Sequence, residues 1–174
     1  EACVFRCINR LDRDTTGLLV LAKHALSGAV LSDAMARRAI RRTYLAVVQG
    51  CPDPEDGCID APISRVPGSC LQRQVDFDHG ERAVTHYRTL TAGAPYSLVE
   101  LHLDTGRTHQ IRVHMAHIGC PLPGDFLYNP DFSHIRRQAL HAAALDLTHP
   151  VTGGTLHFEA PLPEDMKRLL ARRS

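Results

Sequence analysis

The sequence has no uninterrupted apolar run long enough to cross a membrane, and its start shows no signal-peptide pattern. Its six cysteines include no Cys-x-x-Cys pair, and a chain of 174 residues does not need disulfide bonds to hold a core together. Lysine is also scarce, since Lys23 and Lys167 are the only two. We therefore expect a soluble, cytoplasmic protein whose positive charge is carried almost entirely by arginine.

The arginines are unevenly distributed, although the formal net charge is only +1. Four of them fall within six residues, at Arg37, Arg38, Arg41 and Arg42. One interpretation is a solvated helix end with favourable dipole interactions. The other is a track for the phosphates of a nucleic acid, because the planar guanidinium suits bidentate phosphate contacts. Composition alone does not choose between the two.

The chain is long enough for one sizeable core, and 44% of its residues are hydrophobic. We therefore predict a single domain over residues 1–174. The first residue is Glu1 rather than methionine, and Val4 and Phe5 already look like the sequence of a folded domain. These features indicate a domain that is incomplete at its N-terminus and begins inside a larger polypeptide.

The spacing of apolar residues predicts alternating strands and helices of unequal length. Strands joined by short turns, with helices placed irregularly between them, indicate an α+β fold with a mixed, largely antiparallel sheet, flanking helices and long loops. A Pro-, Gly- and Asp-rich stretch at 51–78 is expected to be irregular. The predicted strands are 18–22, 43–48, 83–90, 97–103, 139–147 and 155–159, and the predicted helices are 25–38, 163–173 and one that carries Ile111, Met115 and Ile118.

Asp12 is the first candidate for a catalytic residue. It lies between Arg10 and Arg13 in a turn that leads into the apolar run 18–22. A carboxylate in this position costs free energy of folding without giving an evident structural benefit, so a chemical role is favoured. Asp14 follows closely, but a role in shaping the turn before Thr15 explains it better.

Two longer stretches carry most of the functional information, and three shorter ones agree with them. The stretches are 10–19 (RLDRDTTGLL), 42–50 (RTYLAVVQG), 105–114 (TGRTHQIRVH), 124–128 (GDFLY) and 140–143 (LHAA). Together they resemble the signature motifs of the RluA-like pseudouridine synthases, in the right order and over nearly the whole chain.

The resemblance implies a fold of the pseudouridine synthase type and an isomerase that acts on structured RNA, either ribosomal or transfer RNA. Such an enzyme detaches uracil from its ribose, rotates the base and rejoins it through carbon. The resemblance further implies that no cofactor and no metal are needed. We expect the protein to act as a monomer.

The resemblance also assigns roles to individual residues. Asp12 corresponds to the catalytic aspartate, which either attacks the sugar or removes a sugar proton; the sequence leaves both routes open. Arg112 corresponds to its ion-pair partner, and Tyr44 to the tyrosine that lies against the uracil ring. Leu140 is expected to form the other side of the slot. Arg10 resembles the arginine that fills the gap left by a flipped base; an equal alternative is a side chain that fixes the turn.

One residue departs from the family pattern, because Asn9 stands where histidine is usual; this puts only supporting hydrogen bonds in doubt. Two rival functions remain open. The first is a metal-dependent hydrolase built on His109, His114 and His117, although their spacing does not match a His-x-x-x-His motif. The second is an RNA-binding domain without activity, which the presence of Asp12 disfavours.

Overall fold

The computed structural model describes residues 5–172. Glu1 and Val4, on which the expectation of an upstream segment rests, lie outside the described residues, as does Arg173 at the end of the last predicted helix. None of the helices in the described range is long and apolar enough to cross a membrane. These helices are α1 (Ala25–Ala36), α2 (Gln110–His117) and α3 (Glu164–Leu170).

Seven strands form the main sheet, and the others make two small ribbons. The order in the sheet is β11-β10-β4-β9-β8-β5, all antiparallel, with β2 added parallel to β10. The predicted α+β fold with a mixed, largely antiparallel sheet is therefore confirmed. The strands are β1 (Arg6–Cys7), β2 (Thr16–Gly17), β3 (Leu21–Ala22), β4 (Arg41–Gln49), β5 (Asp56–Asp60), β6 (Ile63–Arg65), β7 (Arg73–Val75), β8 (Val84–Thr91), β9 (Tyr96–Leu103), β10 (Leu140–Thr148) and β11 (Thr155–Glu159).

The central strand β4 divides the core between its two faces. Successive side chains of a strand point to opposite sides, so Tyr44 and Ala46 share one face and Val47 lies on the other. The first face packs against α2 through Ile111 and Met115. On the second face, Val47 packs in a cluster with residues of α3. The sheet is thus covered by a helix on each side, and the face under α2 carries the residues of the predicted site.

Two predictions about local structure are wrong. The run 18–22 is not one buried strand, since only β3 is extended there and Leu19 and Leu21 are exposed. The chain leaves the main sheet after β2, so the sheet covers neither side chain. The stretch 51–78 is not irregular either, because it contains β5, β6 and β7. These strands are only three to five residues long, and β5 is held by its pairing with β8, which its own composition does not reveal.

Helix α1 lies where the periodicity predicts it but presents a different face to the core. Gly28 and Leu31 are buried, whereas Leu26 and Val30 are exposed. Gly28 permits close packing, because an added Cβ would meet the Arg6 side chain at 2.8 Å. The inward side of α1 therefore carries Gly28, Leu31 and Met35 rather than Leu26 and Val30.

Candidate active site

The turn that carries Asp12 is anchored to β10 by its last residue, Gly17. Gly17 has a φ of +112°, and an added Cβ would lie 2.2 Å from the carbonyl oxygen of Ala142. No other residue could make this approach without moving the backbone. The following Leu18 N–H donates to the same carbonyl at 3.0 Å. The glycine therefore sets the position of the Asp12 turn against the sheet.

Two side-chain amides also hold this turn and the residues beside it through hydrogen bonds to the backbone. Asn9 is buried, and its Oδ1 accepts the Val20 N–H at 2.9 Å, so the departure from the family pattern still provides a hydrogen-bond acceptor. Gln138 donates from Nε2 to the Arg13 carbonyl and to Thr15 Oγ1. Gln138 was not among the predicted site residues, and its only signal in the sequence is its position just before the motif at 140–143.

Asp14 and His141 complete the support. Asp14 has a φ of 69°, a left-handed conformation that Asp tolerates in turns, and this agrees with the turn-shaping role predicted for it. His141 Nε2 lies 3.2 Å from the Ala160 carbonyl and must donate to it, so Nδ1 accepts the Thr16 hydroxyl at 2.9 Å. Burial lowers the pKa of His141, consistent with a neutral ring.

Arg112 on α2 is held by two carboxylates, of which the sequence predicted one. Its Nη1 lies 3.2 Å from Oδ2 of Asp12, the predicted contact. Its Nε and Nη2 donate to Asp125 at 2.6 and 2.8 Å. The guanidinium carbon lies 5.5 Å from the ring centre of Phe126 and 5.2 Å from that of Tyr128. Asp125 and the two rings therefore immobilise the guanidinium and leave one edge for Asp12.

The two carboxylates differ in exposure. The side chains of Arg112 and Asp125 are 1% and 0% exposed, whereas that of Asp12 is 26% exposed. Burial alone would lower the pKa of Arg112, but the hydrogen bonds and charge of Asp125, with a smaller contribution from Asp12, raise it above its ordinary value. Arg112 is thus a fixed positive charge, and Asp12 is the partner that remains open to a ligand.

A chain of hydrogen bonds through Gln110 fixes the start of α2. Its Oε1 accepts from Thr105 Oγ1 at 2.8 Å and from the Arg107 N–H at 2.9 Å. Its Nε2 donates to the Val84 carbonyl and to Thr85 Oγ1. The residue has only 2% exposure; its two Nε2 bonds are buried, and its two Oε1 bonds are partly buried. The network orients α2, and with it Arg112, relative to the sheet.

Tyr44 and Leu140 form a slot next to Asp12. The register pairs Tyr44 with Ala142 and Leu140 with Ala46, so the two side chains are diagonal neighbours on the face under α2. Both line the cleft that contains Asp12, together with Arg10 and other residues. Burial raises the pKa of the Tyr44 hydroxyl, and Arg42 opposes part of that rise. All five predicted site residues, Arg10, Asp12, Tyr44, Arg112 and Leu140, therefore meet at one end of the sheet.

The four-arginine cluster divides into two pairs. Arg38 and Arg42 line a second cleft that shares Arg10 and Asp12 with the first and continues it toward the end of α1. Arg37 instead forms an ion pair with Asp33, one turn earlier on the exposed side of α1. Arg41 and Arg42 point to opposite faces of β4, so Arg41 is directed away from the cleft.

The histidines of the rival metal site do not converge. His114 is bonded through both ring nitrogens, to Thr85 Oγ1 and the Ala61 carbonyl, and His109 Nδ1 lies 3.1 Å from Tyr128 Oη. His117 is exposed beside another aromatic ring. Within residues 5–172, the three side chains whose potential ligand atoms do converge are Asp76, Asp78 and His79, on a surface turn away from the slot.

Comparison with known proteins gives a consistent result. A family model described as RNA pseudouridylate synthase matches residues 1–117. The uncharacterized RNA pseudouridine synthase YjbO of Bacillus subtilis is 46% identical over 163 residues, which cover 94% of this chain and 57% of that protein. Ribosomal large subunit pseudouridine synthase D of Nitrosomonas europaea is 46% identical over 172 residues, covering 94% of this chain and 49% of that protein.

Solved structures agree with the sequence relatives. Human RNA Pseudouridylate Synthase Domain Containing 4 superposes with a TM-score of 0.77 at 26% identity, over 95% of this chain and 74% of that one. Human RNA Pseudouridylate Synthase Domain Containing 1 has the same fold, with a TM-score of 0.80 at 24% identity over 98% of this chain and 82% of that one. The chain spans about half the length of the curated relatives it matches.

Proposed function

Because the chain belongs to the RNA pseudouridylate synthase family, we propose that the protein converts a uridine in structured RNA to pseudouridine, with Asp12 as the catalytic carboxylate. One observation carries the assignment of Asp12. Its carboxylate lies beside the slot formed by Tyr44 and Leu140, is bonded to the immobilised Arg112, and remains 26% exposed. A reactive carboxylate needs this combination of fixed orientation and access.

The proposed reaction is an isomerisation and needs no other reactant. The bond between N1 of uracil and C1′ of ribose breaks, the base rotates, and a bond forms between C5 and C1′. C5 loses a proton and N1 gains one, so the composition is unchanged. Asp12 acts either by attacking C1′ or by removing a sugar proton. In both routes Arg112 supplies the counter-charge that holds the carboxylate in place.

The slot suits a base that has left its stack. A flipped pyrimidine loses its stacking partners and needs flat or apolar surfaces in their place. Tyr44 and Leu140 provide these on neighbouring strands; each lines the cleft with only a small exposed face, at 5% and 4% exposure. Arg10 is exposed at the rim of the cleft, where it can enter the RNA stack that the base has vacated.

The substrate we propose first is ribosomal RNA, since four of the similar proteins are named ribosomal large subunit pseudouridine synthase D. Transfer RNA is the alternative. We propose that the protein works as a monomer in the cytoplasm. Mapping pseudouridines in ribosomal and transfer RNA from cells with and without the gene decides between the two substrates, because only the true target loses a modified position.

Asp12→Asn tests the catalytic assignment, with Asp14→Asn as its matched control. The Asn side chain keeps the shape of Asp12 but removes its charge, so we expect no detectable turnover and nearly unchanged RNA affinity. Asp14 is two residues away in the same turn and faces a different cleft, so its variant should retain most activity. Release of tritium from RNA labelled at uridine C5 measures the reaction. Wild-type turnover by Asp12→Asn would refute the mechanism, and no turnover by the unaltered protein on any RNA would favour the inactive RNA-binding domain.

A further inference from the structure

A groove distinct from the two clefts described above lies on the other side of the Asp12 turn. Arg13 and Asp14 form one wall of it, while Arg10 and Asp12 of the same turn face the candidate active site. Its volume is about 190 Å³, smaller than the roughly 300–1,000 Å³ of sites for drug-sized ligands. The groove shares no lining residue with the slot, although residues of the same turn line both.

Two phenylalanines are exposed in this groove. Phe126 is 41% exposed and Phe132 is 46% exposed, although phenylalanine is among the residues most often buried. Phe126 also packs against the guanidinium of Arg112, so one part of its ring belongs to the catalytic ion pair and another part faces the groove. Arg112 thus fixes the ring of Phe126, and both aromatic rings present uncovered surface to the groove.

The polar groups of the groove complement a negatively charged ligand. The side chain of Arg13 is 88% exposed and meets only Asp14, at 3.5 Å, and Arg136 makes no ion pair with any residue in the range 5–172. Arg137, in contrast, is held by Asp165 and has a structural role. The carboxylate of Asp14 offsets part of this charge, so two cations face one anion.

An unused acceptor lies in the lining of the same groove. Gln138 is 0% exposed, and both bonds of its amide nitrogen go to the Asp12 turn. Its Oε1 has no hydrogen-bond partner among the described residues, which is unusual for a buried polar atom. The atom is closed to solvent, so it lies behind the surface of the groove and is not counted among the groups that contact a ligand.

We propose that this groove binds an unpaired nucleotide of the substrate RNA, with its base stacked on Phe132 and Phe126 and its phosphate beside Arg13 and Arg136. Aromatic rings combined with arginines are the surface that single-stranded RNA requires, because every base has a face for stacking and every phosphate a charge. A duplex keeps its bases stacked inside and cannot use the groove in this way. The inference rests on the proposed function, since it assigns the nucleotide to the same RNA.

Phe132 is the residue to vary, because Phe126 also supports Arg112. Phe132→Leu removes the aromatic face and Phe132→Tyr keeps it. Phe158→Leu is the matched control, since Phe158 is also 46% exposed but lies on the edge strand β11. Binding is measured by fluorescence anisotropy with two probes, a single-stranded 12-nucleotide RNA of mixed sequence and a blunt RNA duplex of the same composition.

Phe132→Leu should weaken binding of the single strand about five-fold or more, as expected for the loss of one stacked base, and leave duplex binding unchanged. Phe132→Tyr and Phe158→Leu should bind both probes like the unaltered protein. Equal affinities of Phe132→Leu and Phe158→Leu for the single strand would overturn the proposal, as would an equal loss for both probes. If these variants behave alike while the unaltered protein still forms pseudouridine, only the groove assignment fails. If the unaltered protein neither binds nor modifies RNA, the proposed function itself fails.

Discussion

Replacing Arg112 by methionine should destabilise the protein mainly through Asp125, and only secondarily through Asp12. Methionine fills a similar volume but leaves a carboxylate with 0% exposure without its two charge-assisted hydrogen bonds. Removing one partner of a buried ion pair costs about 3–5 kcal/mol. The contact with Asp12 is a single bond at 3.2 Å to a side chain that water reaches, so it contributes about 1 kcal/mol or less.

Double-mutant cycles separate these two contributions. The first cycle combines Arg112→Met with Asp125→Asn, and the second combines it with Asp12→Asn. Asparagine at 125 can still accept the Leu127 N–H through Oδ1, so the turn after Asp125 is preserved. We expect the Arg112–Asp125 coupling free energy to exceed the Arg112–Asp12 coupling by about 2 kcal/mol or more, from the ranges for buried and exposed pairs.

Urea unfolding at pH 7 measures the couplings, and thermal melts provide a second readout. Each kcal/mol lost from the free energy of unfolding should lower the melting temperature of a domain of this size by about 2–4 °C. Asp12→Asn alone should leave stability nearly unchanged and abolish activity. Additive losses in the first cycle, or equal couplings in the two cycles, would show that Asp125 does not anchor Arg112 as the structure indicates.

Two further predictions concern the arginine cluster and the buried side chain of His114. Replacing Arg38 and Arg42 by glutamine should reduce the slope of log affinity for single-stranded RNA against log salt concentration by about 1.4. The same changes at Arg37 and Arg41 should leave that slope nearly unaltered. Equal slopes for the two double variants would refute the division of the arginine cluster into two pairs. Burial lowers the pKa of His114 in the folded protein, so folding disfavours the protonated form of its ring. The stability that neutral His114 contributes is therefore present above the unfolded pKa of about 6.5 and is lost as the pH falls below that value. Urea unfolding from pH 7.5 to 5 should therefore show a smaller decline for His114→Gln than for the unaltered protein, and identical declines would contradict the assignment.

Most of the regular structure could be predicted from the sequence, because it follows from local periodicity. Strands β4, β8, β9, β10 and β11 were each predicted to within about two residues. Helix α2 was recognised from its apolar spacing, and Gly119, with a φ of +79°, lies just beyond its end. Asp12, the proposed catalytic carboxylate, and Arg112 were identified from the likeness of two stretches to family motifs. Such signals lie within a few neighbouring residues.

Tertiary structure alone decided which distant residues support those motifs. Asp125 is the main partner of Arg112, 13 residues away, and Gln138 holds a turn about 125 residues earlier in the chain. Asp125 lies within the motif at 124–128 and Gln138 just before the motif at 140–143, but no local pattern shows that these side chains reach Arg112 and the Asp12 turn. Burial gives each its importance, because removing a charge or an amide from water requires a partner, and only the folded chain determines which partner is within reach. Tertiary structure also separates the two pairs of arginines, which are adjacent in sequence. The direction of each side chain from the end of α1 or from β4 determines which pair faces the cleft.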